Sequence, residues 1–358
     1  MTRHALALVL PGDPLTPTGG YEYDRRIVAG LRARGWAVTV HVLDASFPAP
    51  TPEARAAACA AFARIPDGAT ALVDGLALGV LPEVAAAEAQ RLNLAALVHH
   101  PLAEETGLEP ARAEVLRRSE AQALAAVRFV VATSGTTARG LARYGVPPER
   151  IAVIEPGTDP APLAPGSGGP GVALLCVAAV VPRKGHAVLI DALSGLVDRD
   201  WHLTCVGSLG RSPRTVAALQ HQVASLGLAH RVSIRDAVDR TTLDACYARA
   251  DVFVLPTFHE GYGMALAEAL ARGLPLVSTR AGAVPETVPA DASLLVPPGD
   301  AEALRDALAR VLDDAALRAR LAAGARRARE RLPDWDAACA RLAAVLTNEP
   351  ANLERLHG

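Results

Sequence analysis

The sequence predicts an α/β protein made of two doubly wound, Rossmann-like domains of similar size, and three observations carry that expectation. Its 358 residues exceed one average domain. Apolar runs of strand length alternate with helix-forming stretches from end to end, the pattern of parallel sheets covered by helices on both faces. Between the halves, Pro156 to Gly171 holds five prolines and five glycines, too many for a helix or a central strand.

In chain order, the first half offers strands at Ala5 to Leu10, Ala37 to Leu43, Thr70 to Val73, Ala95 to His99 and Phe129 to Ala132. Helix formers lie between them, among them Tyr23 to Arg34, Glu83 to Arg91 and Ala111 to Ala126. After the break come strands Val172 to Ala178, Trp201 to Val206, Val232 to Ile234, Val252 to Leu255, Leu276 to Ser278 and Ser293 to Val296. Helices His186 to Leu196, Thr215 to Leu226, Thr241 to Arg249 and Met264 to Arg272 separate them, and Ala301 to Leu312, Ala315 to Arg331 and Asp334 to Leu346 close the chain. The expected domains are therefore 1–160 and 172–333, joined by a linker over 161–171, with a ligand cleft where the two sheets face each other.

Composition narrows the function classes. With 51% apolar residues the chain can bury sizeable cores. Thirty-six basic residues against 38 acidic ones give a net charge of −2, so no nucleic-acid-binding surface is indicated. No run approaches the roughly 18 apolar residues of a membrane span. The apolar N-terminal run meets Pro11 and Gly12 too soon for a signal peptide, which points to a cytoplasmic protein, with peripheral contact at the inner face of a membrane still open. Five scattered cysteines (Cys59, Cys176, Cys205, Cys246, Cys339) lack C-x-x-C spacing and read as reduced thiols. Lys184 is the only lysine among the 36 basic residues, an arginine bias of the kind a GC-rich genome produces.

The most informative segment runs from His259 to Pro275. It follows the strand ending at Leu255, places Gly261 and Gly263 in a loop and then opens an Ala/Leu/Met helix that Gly273 and Pro275 stop. Glycines permit close approach of a ligand, and a helix N-terminus presents unpaired N–H groups to an anion. Glu260 in the loop and Glu268 one turn into the helix suit hydroxyl groups, because carboxylates beside an anion repel it. Pro182-Arg183-Lys184-Gly185-His186 forms the turn after the first strand of the second half, at the switch-point end of its sheet.

Glu260 and Glu268, with seven residues between them, resemble the E-x7-E signature of the retaining, nucleotide-sugar-dependent enzymes of glycosyltransferase family 4, which have the GT-B fold. Ala250 to Thr257 before the signature and Ala281 to Glu286 after it strengthen the resemblance, which covers most of the chain. It implies that Glu268 binds the ribose hydroxyls, that Glu260 touches the transferred sugar, and that backbone N–H groups around Tyr262, Gly263 and Met264 face the sugar and distal phosphate. Lys184 then meets the diphosphate and stabilises the departing charge. Many relatives carry Gly-Arg where this chain has Ala178-Ala179, which makes Arg183 the substitute for a phosphate-binding arginine. Val238 is implied at the base. In the first half, Gly19 and Gly20 approach a phosphate, and His99 lies near sugar and acceptor. His100 stands where relatives have an acidic neighbour.

Other signals weigh less. Asp198-Arg199-Asp200 matches a metal-binding D-x-D pattern but precedes a strand, where a solvated turn is expected. Val206 to Gly210 lacks the G-x-G spacing of a dinucleotide fingerprint. The ten histidines form no H-x-x-x-H or Cys/His spacing, so neither metal nor cofactor is expected beyond the nucleotide-sugar donor itself. The expected activity is metal-independent, same-face transfer of a sugar from a nucleoside diphosphate to an unidentified acceptor: a lipid, a glycan or a small metabolite. A sugar-nucleotide epimerase and a non-catalytic sugar-nucleotide-binding protein are the rivals.

Overall fold

The computed structural model describes residues 4–347. Two compact units divide the chain: the segment up to Gly157 together with the segment from Pro333 onward, and Thr158–Leu332.

Strands β1 (Ala5–Pro11), β2 (Ala37–Leu43), β3 (Thr70–Asp74), β4 (Asn93–Val98), β5 (Phe129–Ala132) and β6 (Ile151–Val153) build the first unit's parallel sheet in the order β2-β1-β3-β4-β5-β6. Helices α1 (Gly19–Ala33), α2 (Pro52–Phe62), α3 (Gly75–Leu78), α4 (Pro82–Glu88), α5 (Pro110–Ala126) and α6 (Gly135–Gly140) connect them. Central strands read as unbroken apolar runs because both faces are covered. Val9, Ala71 and Val73 pack on one face with α2, while Leu8, Leu10 and Leu72 pack on the other with α1.

In the second unit, β7 (Val172–Val177), β8 (Trp201–Val206), β9 (Val232–Arg235), β10 (Val252–Leu255), β11 (Leu276–Thr279) and β12 (Ser293–Val296) form a parallel sheet ordered β12-β11-β10-β7-β8-β9. Helices α7 (His186–Ser194), α8 (Pro213–Ser225), α9 (Arg240–Ala248), α10 (Met264–Ala271), α11 (Val284–Thr287), α12 (Ala301–Asp313) and α13 (Ala315–Ala328) cover it. The break in strand order between β7 and β10 marks the switch point, and the loops after these two strands carry Lys184 and Glu260.

Helix α14 (Trp335–Thr347) belongs to the first unit, where Ala338, Cys339, Leu342 and Val345 join the core beneath α1. The two helices nearly touch, since a Cβ on Gly30 would lie 2.2 Å from the Cys339 sulfur. Chain return is fixed at Trp335, whose ring lies 5.9 Å from that of Tyr23, and Arg341 donates to the Val153 carbonyl at 2.9 Å.

Several boundaries differ from the sequence expectation for local reasons. The first helix begins at Gly19 rather than Tyr23, because the Thr18 hydroxyl caps it by accepting the Tyr21 N–H at 3.3 Å. Gly19 and Gly20 are thus the first helical turn, not loop residues. Strand β4 ends at Val98, leaving His99 just beyond it. The Pro/Gly-rich stretch contains no helix or strand, yet it is fastened along the second unit instead of hanging as a free tether. Ala164 and Gly166 donate their N–H groups to Arg272 and Ala248, carbonyls at the C-terminal ends of α10 and α9, and the Ser167 hydroxyl donates to Asp251 at 2.7 Å.

Truncating Leu342, fully buried between α14 and α1, should cost about 2–5 kcal/mol. Chemical denaturation of Leu342→Ala is expected to shift the first unit's transition to lower denaturant and leave that of the second unit in place.

Candidate functional site

Two loops of the second unit are stitched into one surface. Phe258 N–H donates to the Arg183 carbonyl at 2.7 Å, and the buried Thr257 hydroxyl reaches the carbonyls of Arg183 at 3.0 Å and His259 at 2.9 Å. Gly185 makes this approach possible: its φ is +71°, and a Cβ there would stand 2.0 Å from the Pro256 carbonyl oxygen. From the other side, Gly282 brings the 281–287 turn against the backbone of Glu260, whose carbonyl accepts the Ala283 N–H at 2.9 Å. Thr287 then fixes the loop by donating its hydroxyl to the Tyr262 carbonyl at 2.6 Å.

Within this frame Lys184 Nζ meets Glu260 Oε1 at 2.6 Å. Arg183 donates to the His259 carbonyl at 2.8 Å and lies 4.0 Å from Glu260 Oε2. Burial opposes the Glu260 charge, but the Lys184 and Arg183 cations and the Lys184 hydrogen bond outweigh it and hold the carboxyl below its ordinary range. For Lys184, burial and the neighbouring Arg183 charge outweigh the attraction of Glu260 and hold the ammonium below its ordinary value. The opposed tendencies leave a close ion pair whose lysine is easier to deprotonate than one in water. Where the sequence assigned Lys184 and Glu260 to different parts of a ligand, the structure ties them together.

Helix α10 begins four residues after Glu260, with Gly263 as N-cap at φ +97°, and no side chain caps its N–H groups. Met264 is the first helical residue, Tyr262 is largely buried, and Glu268 sits one turn in. Glu268 Oε2 accepts the Tyr247 hydroxyl at 3.0 Å, and Arg240 Nη1 lies 3.9 Å from Oε1. Tyr247 is fully buried and stacks on Phe253, with the Arg272 guanidinium 4.2 Å over its ring. Burial and the Glu268 charge push its hydroxyl well above its ordinary range, so it stays protonated as a donor. Sequence reasoning missed Tyr247 and Arg240, because a single helical Tyr and Arg carry no local signal. Val238, half-buried, packs on the edge of the second core.

The first unit holds a separate group. His99 Nε2 lies 3.4 Å from Asp24 Oδ1, outside good hydrogen-bond alignment, and a Cβ on Gly20 would touch the ring at 3.6 Å. Asp74, which caps α3 by accepting the Leu76 N–H at 2.7 Å, is raised to about 6 by burial and the Asp24 charge. Burial works against a charged His99, but Asp24 and Asp74 prevail and raise its pKa. The acidic partner missing at His100 thus comes from α1 and the end of β3. His100 itself stands 3.9 Å from Glu105.

Asp198-Arg199-Asp200 is a surface turn in which Arg199 pairs with Asp198 and with Asp313 at 2.8 Å. Cys176, Cys205 and His186, unrelated in sequence spacing, converge in the second unit with donor atoms within 4.8 Å of one another.

With this geometry in place, comparison with known proteins is decisive for the family. Residues 23–162 match the model described as Glycosyltransferase Family 4, and 171–314 the one described as Glycosyl transferases group 1. The chain belongs to glycosyltransferase family 4. It is 30% identical over 268 residues to the MMP alpha-(1->4)-mannosyltransferase of Mycolicibacterium hassiacum, covering 70% of this chain and 64% of that protein. A D-inositol 3-phosphate glycosyltransferase of Corynebacterium glutamicum is 32% identical over 238 residues, 60% of this chain and 56% of its own length. The chain therefore matches somewhat under two thirds of the length of these curated relatives. Among solved structures, sucrose-phosphate synthase from Thermosynechococcus elongatus superposes with a TM-score of 0.82 at 23% identity, over 96% of this chain and 98% of that one. Anabaena HepE in complex with UDP-glucose gives 0.77 at 19% identity, over 95% and 99%. These likenesses establish the GT-B fold for this family-4 chain.

Removing the Asp24 charge should lower the His99 pKa, because that carboxylate is the main group opposing burial at the ring. The ion contact stabilises the fold fully below the ordinary imidazole value of 6.5 and fades as pH rises through the elevated native value. NMR titration of the His99 ring in Asp24→Asn checks this; an unchanged midpoint would separate the two residues.

Proposed function

We propose that this chain is a retaining glycosyltransferase that moves a sugar from a nucleoside diphosphate donor to an acceptor hydroxyl. The observation that carries the proposal is the shared frame of the Lys184 turn and the uncapped N-terminus of α10. Two loops, stitched at Thr257 and Phe258, together offer an anion-binding helix end, two cations and the Glu260 carboxylate. An anion beside carboxylates calls for a ligand that also carries hydroxyls, as a sugar nucleotide does. Relatives named as mannosyl- and inositol-phosphate glycosyltransferases support the activity, and the UDP-glucose complex of HepE supports the donor class.

Glu268, braced by Tyr247, binds the ribose hydroxyls, and Glu260 binds hydroxyls of the transferred sugar. Val238 lines the base. Lys184 and Arg183 face the diphosphate, assisted by the N–H groups at Tyr262, Gly263 and Met264. As the bond between the anomeric carbon and the phosphate oxygen breaks, negative charge grows on that oxygen, where fixed cations and the helix dipole stabilise it without reorganising. The acceptor oxygen bonds to the anomeric carbon on the same face, and its proton passes to the leaving phosphate. These cations supply the charge stabilisation that a divalent metal would otherwise give. His99 and the first helical turn at Gly19 and Gly20 serve the acceptor side, with the Asp24 and Asp74 charges favouring the protonated imidazole. Among the described residues, no helix is long and apolar enough to cross a membrane.

Incubation with a panel of nucleoside diphosphate sugars should release nucleoside diphosphate only with an acceptor present. Epimer formation without acceptor, or binding without turnover, would assign the chain to another activity. Lys184→Arg keeps the charge but replaces a compact ammonium with a planar fork, and turnover should fall about tenfold or more. Glu268→Gln should raise KM for the donor with a smaller change in kcat, since ribose contacts are alike in ground and transition states.

A further inference from the structure

Beneath the Lys184 turn lies a cluster that the transfer reaction does not use. Cys176 on β7 and Cys205 on β8 are register partners on neighbouring strands, and His186 opens α7 immediately above them. All three are buried, with exposures of 0%, 2% and 3%. Cys176 Sγ and His186 Nε2 are 3.6 Å apart, and the three donor atoms lie within 4.8 Å of one another.

We propose that Cys176, Cys205 and His186 form a binding site for a thiophilic d10 cation, Zn2+ or Cu+. Metal–sulfur and metal–nitrogen bonds of about 2.3 and 2.0 Å, at tetrahedral to trigonal angles, set sulfur and nitrogen about 3.5–3.7 Å apart. The observed 3.6 Å separation already has that value. Two thiolates and an imidazole are the donor set that soft cations select over hard ones. Hydrogen bonding from the Cys205 thiol is the main influence bringing Cys176 down to about 5, with His186 and Lys184 adding to it against burial. The Cys176 hydrogen bond and burial push the Cys205 thiol up. Coordination forms metal–sulfur bonds at Cys176 and Cys205 and releases any thiol proton to solvent, with no change of oxidation state. His186 Nδ1 is buried without a hydrogen-bond partner, while Nε2 already faces Cys176 Sγ. Because His186 is two residues from Lys184, a bound ion would clamp β7, β8 and the turn carrying the lysine into one rigid piece.

The test is anaerobic titration of the reduced, full-length protein with Zn2+ and, separately, Cu+, each against a competing chromophoric chelator. Wild type should withdraw one equivalent in one or both arms, and the arm identifies the ion. Cys176→Ser and Cys205→Ser should lose that equivalent, and His186→Gln should bind at least about tenfold more weakly. Equal uptake by wild type and both serine variants, or none in either arm, would overturn the proposal. Should the serine variants fail to fold, alkylation of the wild type mapped by mass spectrometry decides. Metal should slow labelling of Cys176 and Cys205 about tenfold or more against chelator-treated protein, while exposed Cys59 is unaffected. Unchanged labelling, or a native Cys176–Cys205 disulfide, would overturn it.

Discussion

The second unit's site depends on one largely buried ion pair, the half-buried Lys184 with the buried Glu260 at 2.6 Å. Two charges taken from water are costly, and a buried pair survives only where geometry and further hydrogen bonds compensate. Compensation comes from Arg183, from the Thr257 hydroxyl between the two loops, and from glycines at 185 and 282 that let backbone approach where any side chain would collide. Removing one member of such a pair typically costs about 3–5 kcal/mol, because the other is left charged and unpartnered. This pair sits where sheet order reverses, at the carboxyl ends of β7 and β10.

A second layer supports the first. Tyr247, buried between Phe253 and the Arg272 guanidinium, holds Glu268 from beneath, and Arg272 also donates to the Glu268 carbonyl at 2.9 Å. In the first unit two buried carboxylates play the corresponding part for His99, one of them near neutrality in its titration. Both sites thus rest on polar groups within the core, whose orientation is set by packing and not by solvent.

Much of this was legible in the sequence. Strand-length apolar runs located every strand but the three-residue β6, because both sheets are buried on both faces, and Gly263, Gly273 and Pro275 bracketed α10 by their backbone demands. Glu260, Glu268 and Lys184 stood out through their setting at strand-to-helix turns. Their pairing did not, because 76 residues separate Lys184 from Glu260 and only sheet order brings them together. Asp24 beneath His99, Tyr247 beneath Glu268 and the Cys176–His186–Cys205 cluster were hidden for the same reason: each joins elements whose contact is created by parallel pairing or helix packing. The start of α1 was misjudged because two glycines suggest a loop, whereas the Thr18 cap decides in favour of helix.

The ion pair is tested most directly by a double-mutant cycle on acceptor-dependent release of nucleoside diphosphate. Lys184→Met, Glu260→Gln and the double variant would be compared with wild type across the identified donor. If the two residues act as one unit, the double variant loses no more activity than the worse single variant. Losses that simply multiply would show that Lys184 and Glu260 act independently and would contradict the account.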